Sequence, residues 1–358
     1  MIQLRNLKKW LVTALIAIPL ANSAYAEKIV VAHRGASGYL PEHSMSAKSM
    51  AYAMGADYIE QDVVMTKDDA LVVLHDHYLD RVTNVADIFP NRKREDGRYY
   101  AIDFTLAEIK KLDMTEAFTI KEGKKTAIYP KRFPLWQSHF KVHTLQDEIE
   151  MIQGLNTSTG HDVGIYVEVK APWFHRHEGK DISSAVLDVF KQYGYTKKSD
   201  LAYLQSFDVN ELKRIKNELL PQRNMDIKLI QLMAETSWGE TKEYIDGKAQ
   251  DYNYDWMYQS GGMKLIAQYA DGVGPWYPMV VSPDSTQGEL IFTPLVENAH
   301  EAGMKVHPYT FRIDEGHVPE YAKDFEDFLN IFFYKANVDG VFTDFPDRAV
   351  NFLKTTEG

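Results

Sequence analysis

The sequence predicts an α/β protein folded as a closed (β/α)8 TIM barrel, with a small insertion after the early strands. The first observation is a series of short, continuous apolar runs, which are typical of parallel strands buried on both faces. They are "KIVVAH", "DYIEQDVVM", "LVVLHD", "IYVEVK", "LAYLQSF", "IKLIQLM", "ADGVG", "MKVHPYT" and "DGVFTD". Helix-like stretches separate many of these runs, and about eight such units favour a closed barrel over an open sheet. No glycine-rich nucleotide fingerprint follows any strand.

Four of the intervening stretches have helical spacing. They are residues Ser44 to Met54, "TLQDEIEMI" from Thr144, "VNELKRIKNEL" from Val209 and "TPLVENAHEAG" from Thr293. Gly303 is expected to end the last helix, because glycine readily adopts the left-handed conformation that follows many helices.

One pair of strands and one long segment depart from the alternation. The runs at 57–65 and 71–75 are joined by "TKDDA", which is too short for a parallel crossover and predicts a hairpin. Over residues 80–141 the strand-helix pattern lapses, and Thr105 and Glu108 have the spacing of a helix capping box. We interpret this segment as an insertion over one rim of the barrel.

The N-terminus predicts an exported protein. Residues 1–26 combine basic residues, a short apolar run and Ala24-Tyr25-Ala26, so we expect a signal peptide cleaved before Glu27. The chain has no cysteine, which excludes disulfides and a lipidated N-terminal cysteine. Its formal net charge of −11 disfavours nucleic acid and anionic membrane surfaces as partners. We therefore expect a periplasmic protein with no stable membrane anchor. The sequence does not decide whether the protein forms a homodimer.

Two predicted strands carry charged side chains two residues apart, a spacing that suits a cation-binding site. In "DYIEQDVVM" the two-residue period of a strand places Glu60 and Asp62 on one face. In "IYVEVKAP" the same period pairs Glu168 with Lys170. Adjacent buried anions repel one another, and a hard divalent cation with oxygen ligands relieves that repulsion. The alternatives are a solvated strand face and a simple internal salt bridge.

Two histidines and an arginine lie at the C-terminal ends of predicted strands, on the same rim of the barrel. His33 and Arg34 follow the first strand, and His75 follows the hairpin strand. Active sites of TIM barrels lie at the C-terminal ends of the strands. Arginine and lysine bind phosphate oxygens, and imidazoles exchange protons near neutral pH. Together with a divalent cation, these groups suit a phosphodiester better than a sugar.

Five motifs give the chain a resemblance to the glycerophosphodiester phosphodiesterase family, in particular to its exported bacterial members. They are "AHRGASGYLPEHS", "GADYIEQDVVMTKDDALVVLHD", "YVEVKAP", "LQSFD" and "DGVFTDFPD". The resemblance covers nearly the whole chain after residue 26. It implies hydrolysis of glycerophosphodiesters to glycerol 3-phosphate and an alcohol. It also implies one divalent cation, calcium in preference to magnesium.

The resemblance carries over to this chain position by position. It implies that His33 and His75 are the catalytic general acid and base, that Arg34 and Lys170 bind the substrate phosphate, and that the metal ligands are Glu60, Asp62 and Glu168. Glu42 matches the first motif without an assigned role. Where family members often carry a tryptophan, this chain has "HPYTFR", in which Tyr309 or Phe311 is expected to substitute.

Several alternatives remain open at the level of sequence. A glycoside hydrolase would separate its catalytic carboxylates by about 5 Å or more. A phospholipase of the same barrel superfamily would expose an apolar rim, for which "GPWYPMVV" at 274–281 is the candidate, although we expect this segment to line the head-group side of the pocket. A non-catalytic exported binding protein is the third alternative. The sequence does not decide which alcohol is preferred or which histidine is the acid and which the base. It also leaves open whether the glycerol hydroxyl attacks to give a cyclic phosphate or water attacks directly.

Overall fold

The computed structural model describes residues 28–356, so the predicted signal peptide lies outside the described residues. Thirteen strands are present in this part of the chain. In chain order they are β1 (Ile29–Ala32), β2 (Tyr58–Met65), β3 (Leu71–Val73), β4 (Phe118–Lys121), β5 (Lys124–Ala127), β6 (Gly164–Val169), β7 (Ala202–Ser206), β8 (Lys228–Leu232), β9 (Lys242–Ile245), β10 (Lys248–Asp251), β11 (Gly272–Gly274), β12 (Lys305–Val306) and β13 (Gly340–Thr343).

Eight of these strands form a parallel barrel, as the sequence predicts. Their order is β12-β11-β8-β7-β6-β2-β1-β13, and neighbouring strands pair in parallel. The ring closes between β12 and β13 through backbone hydrogen bonds of 3.0 Å from Asp339 N to Val306 O and from Phe342 N to Pro308 O. The predicted hairpin is confirmed, because β3 pairs with β2 in antiparallel orientation.

Twelve α-helices are present in the described part of the chain. They are α1 (Met45–Ala53), α2 (Val85–Ile88), α3 (Leu106–Ile109), α4 (Leu145–Thr159), α5 (Pro172–His177), α6 (Ile182–Gln192), α7 (Val209–Arg214), α8 (Leu220–Arg223), α9 (Gly262–Ile266), α10 (Leu295–Glu301), α11 (Phe325–Asn330) and α12 (Pro346–Thr356). A π-helical turn at Ile215–Leu219 joins α7 to α8, and another at Ile331–Lys335 continues α11. All four predicted helical stretches are confirmed, and Gly303 follows α10 with a φ of +77°.

Residues 80–141 lie between β3 and α4 and contribute no strand to the barrel. They contain α2, α3 and the antiparallel pair β4-β5. Thr105 and Glu108 form the predicted capping box at the start of α3. A separate apolar cluster, which includes Phe104, Leu112 and Phe140, packs this segment against Val64 of β2 and Val72 of β3.

The period of two along each barrel strand divides the core into an inner and an outer part. On β2, Ile59 and Val63 pack in the main apolar core under the helices, whereas Glu60 and Asp62 point into a cavity. Below these carboxylates an inner apolar layer fills the barrel with Val31, Tyr58, Tyr166, Ile230 and Phe342. The barrel is therefore closed at its lower end and polar at its upper end. No helix within residues 28–356 has the length and apolar character needed to cross a bilayer.

Candidate active site

A cavity of about 420 Å³ opens at the C-terminal ends of the barrel strands. Six of the seven residues that the sequence predicts for the site line it, namely His33, Arg34, Glu60, Asp62, His75 and Glu168. The seventh, Lys170, lines an adjoining cavity of about 210 Å³ that shares His75 and Glu168 with the first. The structure therefore brings all seven residues together at the predicted rim.

His33 is held by a carboxylate from the last barrel strand. Its Nδ1 lies 2.6 Å from Oδ1 of Asp344, the residue that follows β13. The other oxygen of Asp344 accepts hydrogen bonds from Arg132, at 2.6 Å, and from Arg312, at 2.7 Å. Burial lowers the pKa of His33 to about 4, and the neighbouring Arg34 acts in the same direction. The imidazole is therefore neutral at physiological pH, with Nδ1 occupied by Asp344.

Arg34 is fixed by backbone and side-chain contacts together. It has a φ of +59°, and its backbone N–H donates to Oε2 of Glu60 at 2.6 Å. Its guanidinium donates to Glu42 at 2.8 Å, and its Nε lies 3.6 Å from Asp62. The charge of Arg34 holds the pKa of Glu42 at about 2, although burial alone would raise it. Glu42 therefore orients the arginine that the sequence assigns to phosphate binding.

Gly35 explains why the first strand ends where it does. It has a φ of +87°, and a Cβ at this position would lie 2.7 Å from the backbone carbon of Ala47 in α1. Only glycine permits this close approach, because any side chain would clash with the helix backbone. The turn after His33 and Arg34 is thus packed directly on α1.

Three buried carboxylates crowd one side of the cavity. Asp62 and Glu168 are register partners on the adjacent strands β2 and β6. Burial, together with repulsion from Asp62, raises the pKa of Glu60. Burial also raises the pKa of Glu168, again with repulsion from Asp62. The pKa of Asp62 is lowered even though burial opposes this, because it accepts a hydrogen bond from His43 and faces Lys170.

A divalent cation fits two of these carboxylates, Glu60 and Asp62, together with His43, whereas Glu168 is outside this group and is paired with Lys170 at 2.9 Å. Oδ1 of Asp62 is buried and has no hydrogen-bond partner within residues 28–356. His43, Glu60 and Asp62 can each offer one ligand atom within 4.8 Å of the others. Nε2 of His43 is already bonded to Asp62 Oδ2 at 2.8 Å, so this imidazole also orients the carboxylate. Carboxylate oxygens are the ligands that calcium and magnesium prefer.

Lys170 and His75 are the remaining predicted site residues that line the two adjoining cavities. Nζ of Lys170 lies 2.9 Å from Glu168 Oε1, and although burial opposes it, Glu168 raises the pKa of the ammonium group. Nδ1 of His75 lies 2.8 Å from Oδ1 of Asp76. Burial lowers the pKa of His75, and the charges of Arg34 and Lys170 add to this effect. Both predicted catalytic histidines therefore have a carboxylate partner at Nδ1.

A second polar network supports the carboxylates from outside the barrel. Lys48 is fully buried, donates to the backbone carbonyl of Glu60, and lies 3.1 Å from Glu148. Gln61 and His143 also bond to Glu148, at 2.8 Å and 2.6 Å. These contacts tie β2 to α1 and α4 at the height of Glu60, which limits the freedom of that carboxylate to move.

Aromatic side chains form the open end of the cavity. Trp276 and Tyr277 of "GPWYPMVV" line it, as predicted, together with Phe207, Trp238 and Tyr309. Trp238 and Trp276 meet edge to face, with ring centroids 5.2 Å apart. Of the two residues expected to replace a tryptophan, Tyr309 lines the cavity, whereas Phe311 is fully buried against Phe328.

A comparison with protein-family models identifies the family of the chain that carries this cavity. The model described as the glycerophosphoryl diester phosphodiesterase family matches residues 33–348. The chain belongs to this family.

Curated relatives support the same enzymatic class. The chain is 56% identical over 331 residues to the glycerophosphodiester phosphodiesterase of Haemophilus influenzae, which covers 92% of this chain and 90% of the relative. It is 46% identical over 330 residues to the glycerophosphodiester phosphodiesterase of Treponema pallidum, covering 92% of each chain. The fold matches the crystal structure of a putative glycerophosphoryl diester phosphodiesterase from Silicibacter pomeroyi, with a TM-score of 0.64, 22% identity, and coverage of 93% of this chain and 95% of that one.

Three residues of this phosphodiesterase site were missed by sequence reasoning. Asp344 lies in "DGVFTDFPD" and His43 in "LPEHS", so both were inside recognised motifs but had no assigned contact. Arg132 lies in the insertion, 212 residues from the Asp344 carboxylate that it contacts. No local pattern signals a pairing over that distance, because it depends on how the insertion folds over the rim.

Proposed function

We propose that the protein hydrolyses glycerophosphodiesters, the deacylated forms of phospholipids, to glycerol 3-phosphate and the free alcohol. The proposal assigns the predicted roles to seven residues: general acid and base to His33 and His75, phosphate binding to Arg34 and Lys170, and cation binding to Glu60, Asp62 and Glu168. One observation supports it above the others. Two imidazoles, each with a carboxylate partner at Nδ1, line the same cavity as a buried, unpartnered carboxylate oxygen.

The carboxylates would hold one divalent cation, and calcium is proposed in preference to magnesium. Such an ion supplies Lewis-acid stabilisation to a non-bridging phosphate oxygen. His43 and the Arg34 backbone N–H hold Asp62 and Glu60 in place for this role. Calcium accepts several oxygen ligands in irregular geometry, so carboxylates on two adjacent strands suit it better than they suit the strict octahedron of magnesium.

Arg34 and Lys170 provide positive charge for the substrate phosphate. Nε of Arg34 is buried and makes no hydrogen bond to residues 28–356, so a donor remains available at the cavity wall. Lys170 is paired with Glu168 and adds a point charge beside it. These groups offset the negative charge that accumulates on phosphate oxygens in the transition state.

His33 and His75 would move the protons. With Nδ1 of each ring bonded to a carboxylate, Nε2 is the atom that remains for proton transfer. One imidazole accepts the proton of the attacking hydroxyl, which belongs to the glycerol or to water. The other must enter the step as an imidazolium, and it delivers its Nε2 proton to the oxygen of the leaving alcohol, so that the P–O bond breaks without forming an alkoxide.

The experiment is release of glycerol 3-phosphate from glycerophosphocholine by the purified protein, with a chelator and after adding back calcium or magnesium. We expect release that the chelator abolishes and calcium restores. His33→Ala and His75→Ala should each lower kcat by about 10²-fold or more. The control is His139→Ala, because this side chain is 85% exposed. Near-normal turnover in either catalytic variant would overturn the assignment.

Export to the periplasm is part of the proposal and rests on the sequence of residues 1–26. The negative net charge disfavours binding to an anionic membrane surface and agrees with the proposed lack of a stable membrane anchor. Cell fractionation followed by N-terminal sequencing tests it directly. The mature protein should begin at Glu27, and retention of residues 1–26 in a cytoplasmic fraction would contradict the proposal.

A further inference from the structure

Gln205 is a buried polar side chain of the cavity wall to which the preceding account gives no role. It lies on β7, where it is the register partner of Glu168 on β6. Its side chain is 1% exposed and lines the cavity. Oε1 is fully buried and has no hydrogen-bond partner within residues 28–356. The amide nitrogen is not among the fully buried unpartnered atoms of this range, in keeping with a side chain that lines the cavity.

A buried amide oxygen without a partner raises the free energy of the folded state, because it has left water without gaining a hydrogen bond. The neighbouring glutamine on β8 shows the usual arrangement. Gln231 is also buried, but its amide donates to the carbonyl of Leu232 at 2.8 Å and accepts from the Tyr269 hydroxyl at 3.0 Å. Gln205 is therefore a donor and acceptor pair that the fold leaves available to a ligand.

The depth of Gln205 indicates which part of the substrate reaches it. The apolar layer of Tyr166 and Ile230 closes the barrel beneath it, whereas the opposite end of the cavity is the aromatic mouth with Trp238, which is 39% exposed. The closed end suits the part of the substrate that never varies. In a glycerophosphodiester that part is the glycerol, while the alcohol varies from one substrate to another.

We propose that the side-chain amide of Gln205 binds the terminal hydroxyl of the substrate glycerol and selects diesters that carry it. This inference rests on the proposed function and adds a specificity-determining residue to it. The hydroxyl accepts from the amide N–H and donates to Oε1, so the buried oxygen gains the partner that it lacks. A site built to bond a hydroxyl discriminates strongly against an analogue without it, because its own polar groups are then left unpaired.

The test compares two substrates in two proteins. The substrates are glycerophosphocholine and the phosphocholine ester of propane-1,2-diol, which keeps the hydroxyl next to the phosphate but lacks the terminal one. The proteins are the wild type and Gln205→Met, which preserves side-chain volume. We expect Gln205→Met to lower kcat/KM for glycerophosphocholine by about 10-fold or more and to leave that of the analogue within about 2-fold. An equal loss on both substrates would overturn the proposal.

Two further readouts separate the alternatives. Calcium affinity, measured by calorimetry, should be unchanged in Gln205→Met, and a weakened affinity would show that Gln205 is a cation ligand instead. The melting temperature should stay the same or rise in Gln205→Met, whereas the control Gln231→Met should lower it, because only Gln231 loses protein hydrogen bonds. A lowered melting temperature in both variants would show a structural role.

Failure of the proposed function is distinguishable from failure of this inference. If the wild type cleaves neither substrate, the proposed function fails. Calorimetric binding of glycerol 3-phosphate and of 2-hydroxypropyl phosphate then decides the role of Gln205 without turnover. Tighter binding of glycerol 3-phosphate that is lost in Gln205→Met supports the proposal. Equal binding of the two ligands by the wild type overturns it.

Discussion

His33 and Asp344 lie 311 residues apart in the chain and are joined by a contact of 2.6 Å between Nδ1 and Oδ1. His33 follows the first strand and Asp344 follows the last, so the pairing of these two strands creates the contact. The carboxylate fixes the ring orientation and keeps the proton on Nδ1, which leaves Nε2 able to accept one. The proton-transfer role that we propose for His33 therefore depends on the pairing of the first and last strands.

Replacing Asp344 by Asn should impair chemistry more than folding. The amide can turn its NH2 group toward Nδ1, which stabilises the wrong tautomer of His33. We expect kcat to fall by roughly 10²- to 10⁴-fold, as for the loss of an orienting aspartate in a catalytic triad. Steady-state kinetics and a thermal melt check this result. An unchanged kcat in a folded variant would contradict the role given to Asp344.

The insertion should influence His33 through Arg132. This guanidinium neutralises part of the Asp344 charge, and its removal leaves the carboxylate freer to stabilise an imidazolium. In Arg132→Met we expect the pKa of His33 to rise from about 4, measured by titrating the ¹⁵N-labelled ring in NMR spectra. Arg94→Met is the matched control, because Arg94 is also a bidentate arginine of residues 80–141 but pairs with Asp103 and Glu178. Identical titration in both variants would contradict the coupling.

Glu60→Gln should act through the cation site. The amide oxygen can still accept the hydrogen bond from Arg34 N, so the backbone turn is retained while one negative charge is lost. We expect calcium affinity to fall by about 10-fold or more, and the loss of activity to shrink as calcium is raised. The exposed Glu122→Gln is the control. The same activity deficit at every calcium concentration would count against Glu60 as a ligand.

Glu116 should make the protein less stable as the pH rises. Burial, with repulsion from Glu42, raises its pKa to about 8, and Oε2 has no partner within residues 28–356. The unfolded carboxyl titrates near pH 4.3, so between about pH 4 and pH 8 the folded state binds the extra proton. Stability contributed by this group is therefore full at low pH and is lost toward pH 8.

Glu116→Gln should remove this dependence. We expect the free energy of unfolding to increase by roughly 2–4 kcal/mol at pH 8 and to change little at pH 4 to 5. Urea denaturation at both pH values, with Glu122→Gln as the exposed control, measures the effect. A gain of equal size at pH 5 and pH 8 would show that packing rather than titration is responsible.

The barrel could be predicted because its signal is local. Continuous apolar runs and the period of two along "DYIEQDVVM" and "IYVEVKAP" place Glu60, Asp62, Glu168 and Lys170 on inward faces without any knowledge of distant contacts. The same rule places Gln61 outward, where it meets Glu148. Strand periodicity was sufficient for these residues because each strand has only two faces.

The supporting contacts could not be predicted in the same way. Asp344 meets His33 only when the barrel closes, and Arg132 reaches Asp344 only when the insertion folds over the rim. Gln205 is in "LQSFD", yet its lack of a partner becomes visible only when every neighbour is placed. Local patterns report which face a side chain occupies, whereas hydrogen-bond satisfaction depends on residues hundreds of positions away.

The central claim is that this cavity cleaves the phosphodiester of a glycerophosphodiester on the side of the variable alcohol. The most direct measurement is ³¹P NMR of glycerophosphocholine incubated with the purified protein and calcium. The account predicts that the diester resonance is replaced by that of glycerol 3-phosphate, and that His33→Ala slows this conversion by about 10²-fold or more. Accumulation of phosphocholine, or an unchanged diester resonance with any divalent cation, would contradict it.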